Sequence, residues 1–318
     1  MSTFLHPGGA AVLPPALAMG DLVAIVSPAS KIAPELIDGA AAQLISEGFR
    51  VRVMPHARGE YGSFSADREG RLADLREAIL DPEVRAILCS RGGYGAVHLI
   101  EDLDIIGAEH FRKWLIGFSD ITALHALWHR KGVASLHAAM AKYIGRGPQF
   151  ECYGKELAML TTPADAPDAA RVFASSLPVH PFNRAGECAG PVLGGNLAVL
   201  GGLIGTPYMP DLSGAILFIE DIAEPIYKVE RILWQLRLAG AFSRLAGLMV
   251  GQFTDYRPSS DHPDMETMIA RFVEPYSFPC AFGLPFGHIE ANAPLLLGAP
   301  SRLEVGPSSA ALWLALDS

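Results

Sequence analysis

Between Asp21 and about Arg146 the chain alternates short apolar runs with longer stretches whose apolar residues recur at helical spacing. DLVAIVSPAS opens the series; a helix is expected from about Ala33 to Gly48, followed by FRVRVMP, a second helix, and VRAILCS. Runs that are apolar on both faces leave no face for water, so such strands must be covered on both sides, as in a parallel sheet flanked by helices. Residues 1–150 are therefore expected to form a Rossmann-like α/β domain. From about Gly147 to Ala189 the chain becomes rich in Pro, Ala and Asp (TTPADAPDAARVFASSLPVHPF), a composition that punctuates rather than packs, and residues 151–188 are expected to connect two domains. Residues 189–318 open with GPVLGGNLAVLGG, continue through the strand-like AILFIE and LAGLMVGQF, and end in short β-like pieces such as SRLEV. They are expected to form a smaller, sheet-rich α+β domain. Its main helix should begin at Pro225, bury Ile226, Val229, Leu233 and Leu236 on one face, and end at Gly240.

Composition narrows the partners. At 318 residues, half of them apolar, the chain can build two cores. Its net charge of -9 offers no basic stripe of the kind a phosphate backbone requires, so no nucleic-acid partner is expected. The first twenty residues contain no Lys or Arg and are interrupted by Pro7, Pro14 and Pro15, unlike a secretory signal. The most apolar later stretch, VLGGNLAVLGGLI, is too short and too polar for a bilayer span, so no membrane partner is expected and a cytoplasmic location is. Cys89, Cys152, Cys188 and Cys280 are far apart and form no C-x-x-C pair, which fits reduced thiols.

The sharpest local feature is KWLIGFSDITALHALWHRKG, in which an apolar run meets Gly117-Phe118-Ser119-Asp120 and a helix follows. A strand–turn–helix tip of this kind can project a serine hydroxyl outward as a nucleophile beside backbone N–H groups. The same placement also suits a serine that merely caps the helix. Upstream, directly after VRAILC, comes the glycine loop Ser90-Arg91-Gly92-Gly93-Tyr94-Gly95-Ala96. It lacks the spacing of a dinucleotide site or a P-loop, so an oxyanion role fits it better than a phosphate cradle, and no cofactor is expected. His125 and His129 share a helix face at i, i+4, but HALWH has no Glu between them, so a zinc site is not expected.

The SRGGYGA loop, GFSDIT, the HAAM segment at His137, GPVLGGNL, FIED-x-x-E-x-x-Y and PFGHIEAN occur in this order from roughly Gly20 to Val305. Together they resemble the LD-carboxypeptidase family of serine peptidases, which includes muramoyltetrapeptide carboxypeptidases and microcin C immunity hydrolases. The resemblance implies a Ser–His–Glu triad at the two-domain boundary: Ser119 from GFSD, Glu220 from FIED and His288 from FGH. It further implies backbone oxyanion donors, assigned to Gly93 and Asp120. Asp221 and Glu224 stand close enough to Glu220 to compete for the acid's role, and His137 is kept outside the triad. A carboxypeptidase must recognise a free carboxylate, so Arg91 and Arg231 are candidate substrate contacts, with Tyr94 as a cleft cover; each also reads as an ordinary surface or packing residue.

The implied reaction is release of the terminal D-alanine from a murein tetrapeptide during peptidoglycan recycling, by a homodimer. The alternative within the family is hydrolysis of a microcin C-like peptidyl or aminoacyl nucleotide, disfavoured because no inserted aromatic loop is evident between the Ser and Glu motifs. An alternative of another class is a two-domain protein that binds a small ligand without turnover.

Overall fold

The computed structural model describes residues 11–147, 152–258, 260 and 264–315. The start of the segment read for a targeting signal, the 150/151 boundary and residues 316–318 lie outside the described residues. In chain order the first domain contributes β1 (Leu22–Val26), α1 (Pro34–Ser46), β2 (Arg50–Val53), α2 (Arg68–Leu80), β3 (Val84–Cys89), α3 (Ile100–Asp104), β4 (Trp114–Gly117), α4 (Thr122–Arg130), β5 (Ser135–His137) and α5 (Ala141–Ile144). The five strands are parallel in the order β5-β4-β3-β1-β2. Every residue of β1 is buried, as the unbroken LVAIV run requires. One apolar layer holds α2, α3 and α4 against the sheet, and the other holds α1 and α5.

The strand order reverses between β1 and β3, and in open α/β sheets the crevice at such a reversal is where ligands bind. The loops leaving β1 and β3 meet there: Ser30 N–H donates to Gly92 O at 3.1 Å, and Tyr94 N–H donates to Ser30 Oγ at 3.2 Å.

The Pro- and Ala-rich segment does more than connect. It forms α6 (Tyr153–Thr161), α7 (Ala169–Val172) and β6 (Ser175–Leu177), and Tyr153, Met159, Leu160, Ala169 and Phe173 pack into the layer beside α1. Its prolines and aspartates occupy the turns, so average composition concealed the apolar residues that pack.

The second domain follows with β7 (Gly186–Asn196), α8 (Leu197–Gly202), β8 (Ile216–Ile222), α9 (Ile226–Leu238), β9 (Gly247–Thr254), α10 (Met265–Val273), β10 (Cys280–Ala281), β11 (Leu295–Leu297), β12 (Pro300–Val305) and β13 (Ala310–Leu314). Its seven-stranded sheet runs β10-β9-β8-β7-β12-β13-β6, parallel from β10 to β7 and antiparallel beyond. Pro225 is the N-cap of α9, one residue outside the expected start, and Ile226, Val229, Leu233 and Leu236 are its buried face. Gly240 takes φ +75° just beyond the helix end, where a left-handed residue terminates it.

β11 crosses back and pairs antiparallel with β5, Leu295 opposite His137, extending the first sheet. The chain between β10 and β11 therefore bridges the two sheets. No helix among the described residues is long and apolar enough to cross a membrane.

One buried acid gives a test of this packing. Glu156 of α6 is 2% exposed and its Oε2 accepts from Ala139 N–H at 3.1 Å. Burial pushes its carboxyl up from the ordinary 4.5 to about 8, against the opposing effect of that hydrogen bond. The folded state thus keeps a proton that the unfolded chain has lost, and stability must fall as pH rises from 4.5 to 8, by up to about 1.4 kcal/mol per pH unit. Glu156→Gln keeps the acceptor without titrating. Urea denaturation across this window is expected to show a shallower pH slope for the variant; identical slopes would refute the assignment.

Candidate active site

Ser119 sits where β4 gives way to a single 3-10 turn, Ser119–Ile121, and then to α4. Its φ is +66°, a conformation a side chain other than glycine adopts at a cost. Gly117 permits the turn, since a Cβ there would lie 3.0 Å from Ile121 Cγ1 and 3.2 Å from Cys89 Cβ. Ser119 does not cap the helix: Phe118 is the N-cap position and no side chain bonds the first turn. The hydroxyl turns to the second domain, with Oγ 2.9 Å from His288 Nε2.

His288 comes from the segment bridging the two sheets. Gly287, at φ +121°, lies so close to Glu220 that a Cβ would be 2.8 Å from its Oε2, so only glycine lets the imidazole reach the acid. Gly287 N–H donates to Asn292 Oδ1 at 2.8 Å, closing the loop beneath the ring. His288 Nδ1 lies 2.7 Å from Glu220 Oε2. As a carboxylate, Glu220 only accepts, so the Nδ1 proton points to it and Nε2 is left to accept from Ser119. Glu220 belongs to β8 and is fully buried, whereas His288 keeps 11% of its side chain accessible. Phe118 packs edge-on against the imidazole, with ring centroids 5.1 Å apart.

The competing acids are occupied elsewhere. Asp221 accepts from Asn196 Nδ2, Ala198 N–H and Ile222 N–H, each at 2.8–2.9 Å, and burial followed by Glu220's charge pushes its carboxyl up to about 6. Asn196 N–H in turn donates to Thr122 Oγ1 at 3.0 Å, fastening the second domain to the helix that follows Ser119. Glu224 lies 3.5 Å from Lys228 Nζ.

The glycine loop stands over Ser119. A Cβ on Gly92 would be 2.7 Å from Ser119 Cβ, 2.9 Å from Oγ and 3.1 Å from the Asp120 nitrogen. Gly93 follows directly at φ +104°, pressed against Ser30. Asp120 Oδ2 accepts from Ala96 N–H at 2.8 Å, tying the loop to the turn, and burial raises its carboxyl above the usual range against that bond. Buried Arg71 donates to Pro28 O at 2.6 Å and Gly95 O at 3.2 Å, closing the same assembly from behind.

The remaining sequence candidates separate. Arg91 lies in the loop, its Nη1 3.3 Å from Lys31 O. Tyr94 is 58% exposed and its hydroxyl is 3.0 Å from His98 Nε2, so it stands at the rim. Arg231 is exposed on α9 with its guanidinium 5.4 Å from the Tyr227 ring. His125 spends both nitrogens on Ser135 Oγ at 2.8 Å and Gly117 O at 2.9 Å, and burial holds its imidazole down at about 4, hence neutral. His137 is buried between Phe118 and Phe218. Among the described residues no group of three or more His, Cys, Asp or Glu is placed to hold a metal ion. The contact of Gly92 with Ser119 has no signal in SRGGYGA, because only the fold shows which glycine touches the serine.

A serine hydroxyl, an imidazole and a buried carboxylate in one hydrogen-bonded line, beside backbone donors, is an arrangement able to carry out acyl transfer. The chain is similar to known proteins over most of its length. The model of the LD-carboxypeptidase N-terminal domain matches residues 23–138, and that of the LD-carboxypeptidase C-terminal domain matches residues 189–303. The murein tetrapeptide carboxypeptidase of Pseudomonas aeruginosa is 31% identical over 288 residues, 89% of this chain and 92% of that protein. The crystal structure of muramoyltetrapeptide carboxypeptidase from Oxalobacter formigenes superposes with a TM-score of 0.79 at 29% identity, covering 92% of this chain and 98% of that one. MccF in complex with glutamyl sulfamoyl guanosine shares the fold, with a TM-score of 0.82 at 19% identity, covering 95% of this chain and 98% of that one.

Proposed function

Since this chain belongs to the LD-carboxypeptidase family, we propose that it is a serine carboxypeptidase that releases the terminal D-alanine of a murein tetrapeptide, cutting after the L-centre of diaminopimelate. The observation that carries this reading is the unbroken line from Glu220 Oε2 through His288 to Ser119 Oγ, with contacts of 2.7 and 2.9 Å spanning both sheets. A cytoplasmic homodimer acting in peptidoglycan recycling is the accompanying expectation.

The side chains assign the steps. Ser119 Oγ attacks the carbonyl carbon while its proton passes to His288 Nε2, and Glu220 holds the resulting imidazolium. The tetrahedral oxyanion is taken by the N–H groups of Gly93 and Asp120, each such donor being worth about 2.7–4 kcal/mol of barrier. Collapse breaks the C–N bond as Nε2 returns the proton to the leaving amine, freeing D-alanine and leaving an ester on Ser119. Water, deprotonated by the same nitrogen, hydrolyses that ester.

The test is D-alanine release from murein tetrapeptide, measured beside a peptidyl nucleotide at matched concentration. Turnover of the tetrapeptide alone supports the reading; turnover of the nucleotide alone overturns the substrate, and turnover of neither overturns the activity. A further expected result concerns Gly92→Ala, whose methyl must displace the Ser119 side chain. A displacement of about 1 Å costs about 100-fold in rate, so kcat should fall by that order with the melting temperature little changed. A wild-type rate would show that the loop does not constrain the serine.

A further inference from the structure

His137 takes no part in the reaction as drawn, yet it stands amid the residues that perform it. Its backbone lies on β5 between two strands. On one side it is opposite Gly117 of β4, two residues before Ser119; on the other it is opposite Leu295 of β11, the strand that follows the His288 loop. Its fully buried ring is 5.4 Å from that of Phe118, which precedes Ser119, and 5.2 Å from that of Phe218, two residues before Glu220 on β8. Asn292, also buried, acts on the ring through its side chain, while its Oδ1 accepts from Gly287 N–H at 2.8 Å, next to His288. One imidazole thus has a neighbour beside each member of the triad.

Filling space does not explain a histidine here. Burial first, and then the charges of His125 and His288, hold its imidazole well below the ordinary 6.5, against the effect of Asn292. The ring is therefore neutral, with one donor and one acceptor nitrogen. Among the described residues neither ring nitrogen, nor Asn292 Nδ2, has a hydrogen-bond partner. Buried polar groups left unpaired cost stability that a phenylalanine would not, so packing alone gives no reason to keep them. Hydrogen bonds of a catalytic assembly are often long in the free protein and tighten in the reacting complex, and Asn292 Nδ2–H with the imidazole acceptor is a complementary pair. We propose that His137 is a positioning residue for the catalytic line, accepting from Asn292 and so, through the Asn292–Gly287 bond, fixing the His288 loop against Ser119. The assignment rests on the acyl-transfer reading above, whichever substrate is cut.

The rate at which a fluorophosphonate labels Ser119 reads this line without a substrate. His137→Phe keeps a ring between Phe118 and Phe218 but offers Asn292 no acceptor. It is expected to slow labelling and kcat by about 10- to 100-fold, the scale of a displacement near 1 Å, while KM stays within about twofold. His137→Gln, which retains an acceptor, should recover most of that loss. Asn292→Ala breaks the same link from its other end, so adding His137→Phe to it should slow labelling no further. Wild-type labelling by either His137→Phe or Asn292→Ala, a glutamine variant no faster than the phenylalanine one, or losses that multiply in the double variant would each overturn the positioning role. A wild-type protein that takes no label at Ser119 would instead overturn acyl transfer, and the positioning role with it.

Discussion

Ser119→Ala is expected to lower kcat for D-alanine release by roughly 10⁵- to 10⁶-fold, the scale on which serine peptidases lose activity when their nucleophile is removed. The expectation follows from the absence of a substitute: Oγ alone faces His288 Nε2, and the strained φ of +66° exists to present it. Alanine keeps the Cβ that packs under Gly92, so the fold has no reason to change, and binding of the tetrapeptide should survive. A residual rate within tenfold of wild type would remove Ser119 from the mechanism.

Glu220→Gln is expected to cost about 10⁴-fold in kcat, comparable to the loss seen when a triad carboxylate becomes an amide and the imidazole takes the wrong tautomer. Glutamine preserves shape but can present an N–H to Nδ1, which then accepts and leaves Nε2 protonated and unable to take the Ser119 proton. Glu220 is fully buried, so no water is at hand to replace its charge beside the imidazolium. Asp221, one residue away, is committed to Asn196, Ala198 and Ile222 and cannot stand in. Unchanged activity in Glu220→Gln, or an equal loss in Asp221→Asn with the fold intact, would move the acid's role.

Much of this site could be read from local sequence because its parts are turns. A strand followed by Gly-Phe-Ser-Asp and an amphipathic helix has few ways to fold, and the runs at 22–26 and 84–89, apolar on both faces, show their double burial directly. The nearest-neighbour ambiguity among Glu220, Asp221 and Glu224 was not legible, because which carboxylate faces a histidine 68 positions away depends on the second sheet's register. The return of β11 to the first sheet was equally hidden, since LLL at 295–297 gives no sign of its partner, yet that crossing carries His288 to the seam. Composition misread 151–188, where a few buried aromatic and aliphatic residues outweigh many turn formers. The contact of Gly92 with the serine arises from loops brought together at the sheet's reversal point, which spacing along the chain does not encode.

Every step of the proposed reaction depends on Ser119 being a nucleophile activated by His288. Mass-spectrometric mapping of the protein after treatment with a fluorophosphonate addresses it directly. A single adduct on the peptide bearing Ser119, absent from His288→Ala protein of unchanged melting temperature, is the expected result. No adduct, an adduct on another residue, or equal labelling without His288 would contradict it.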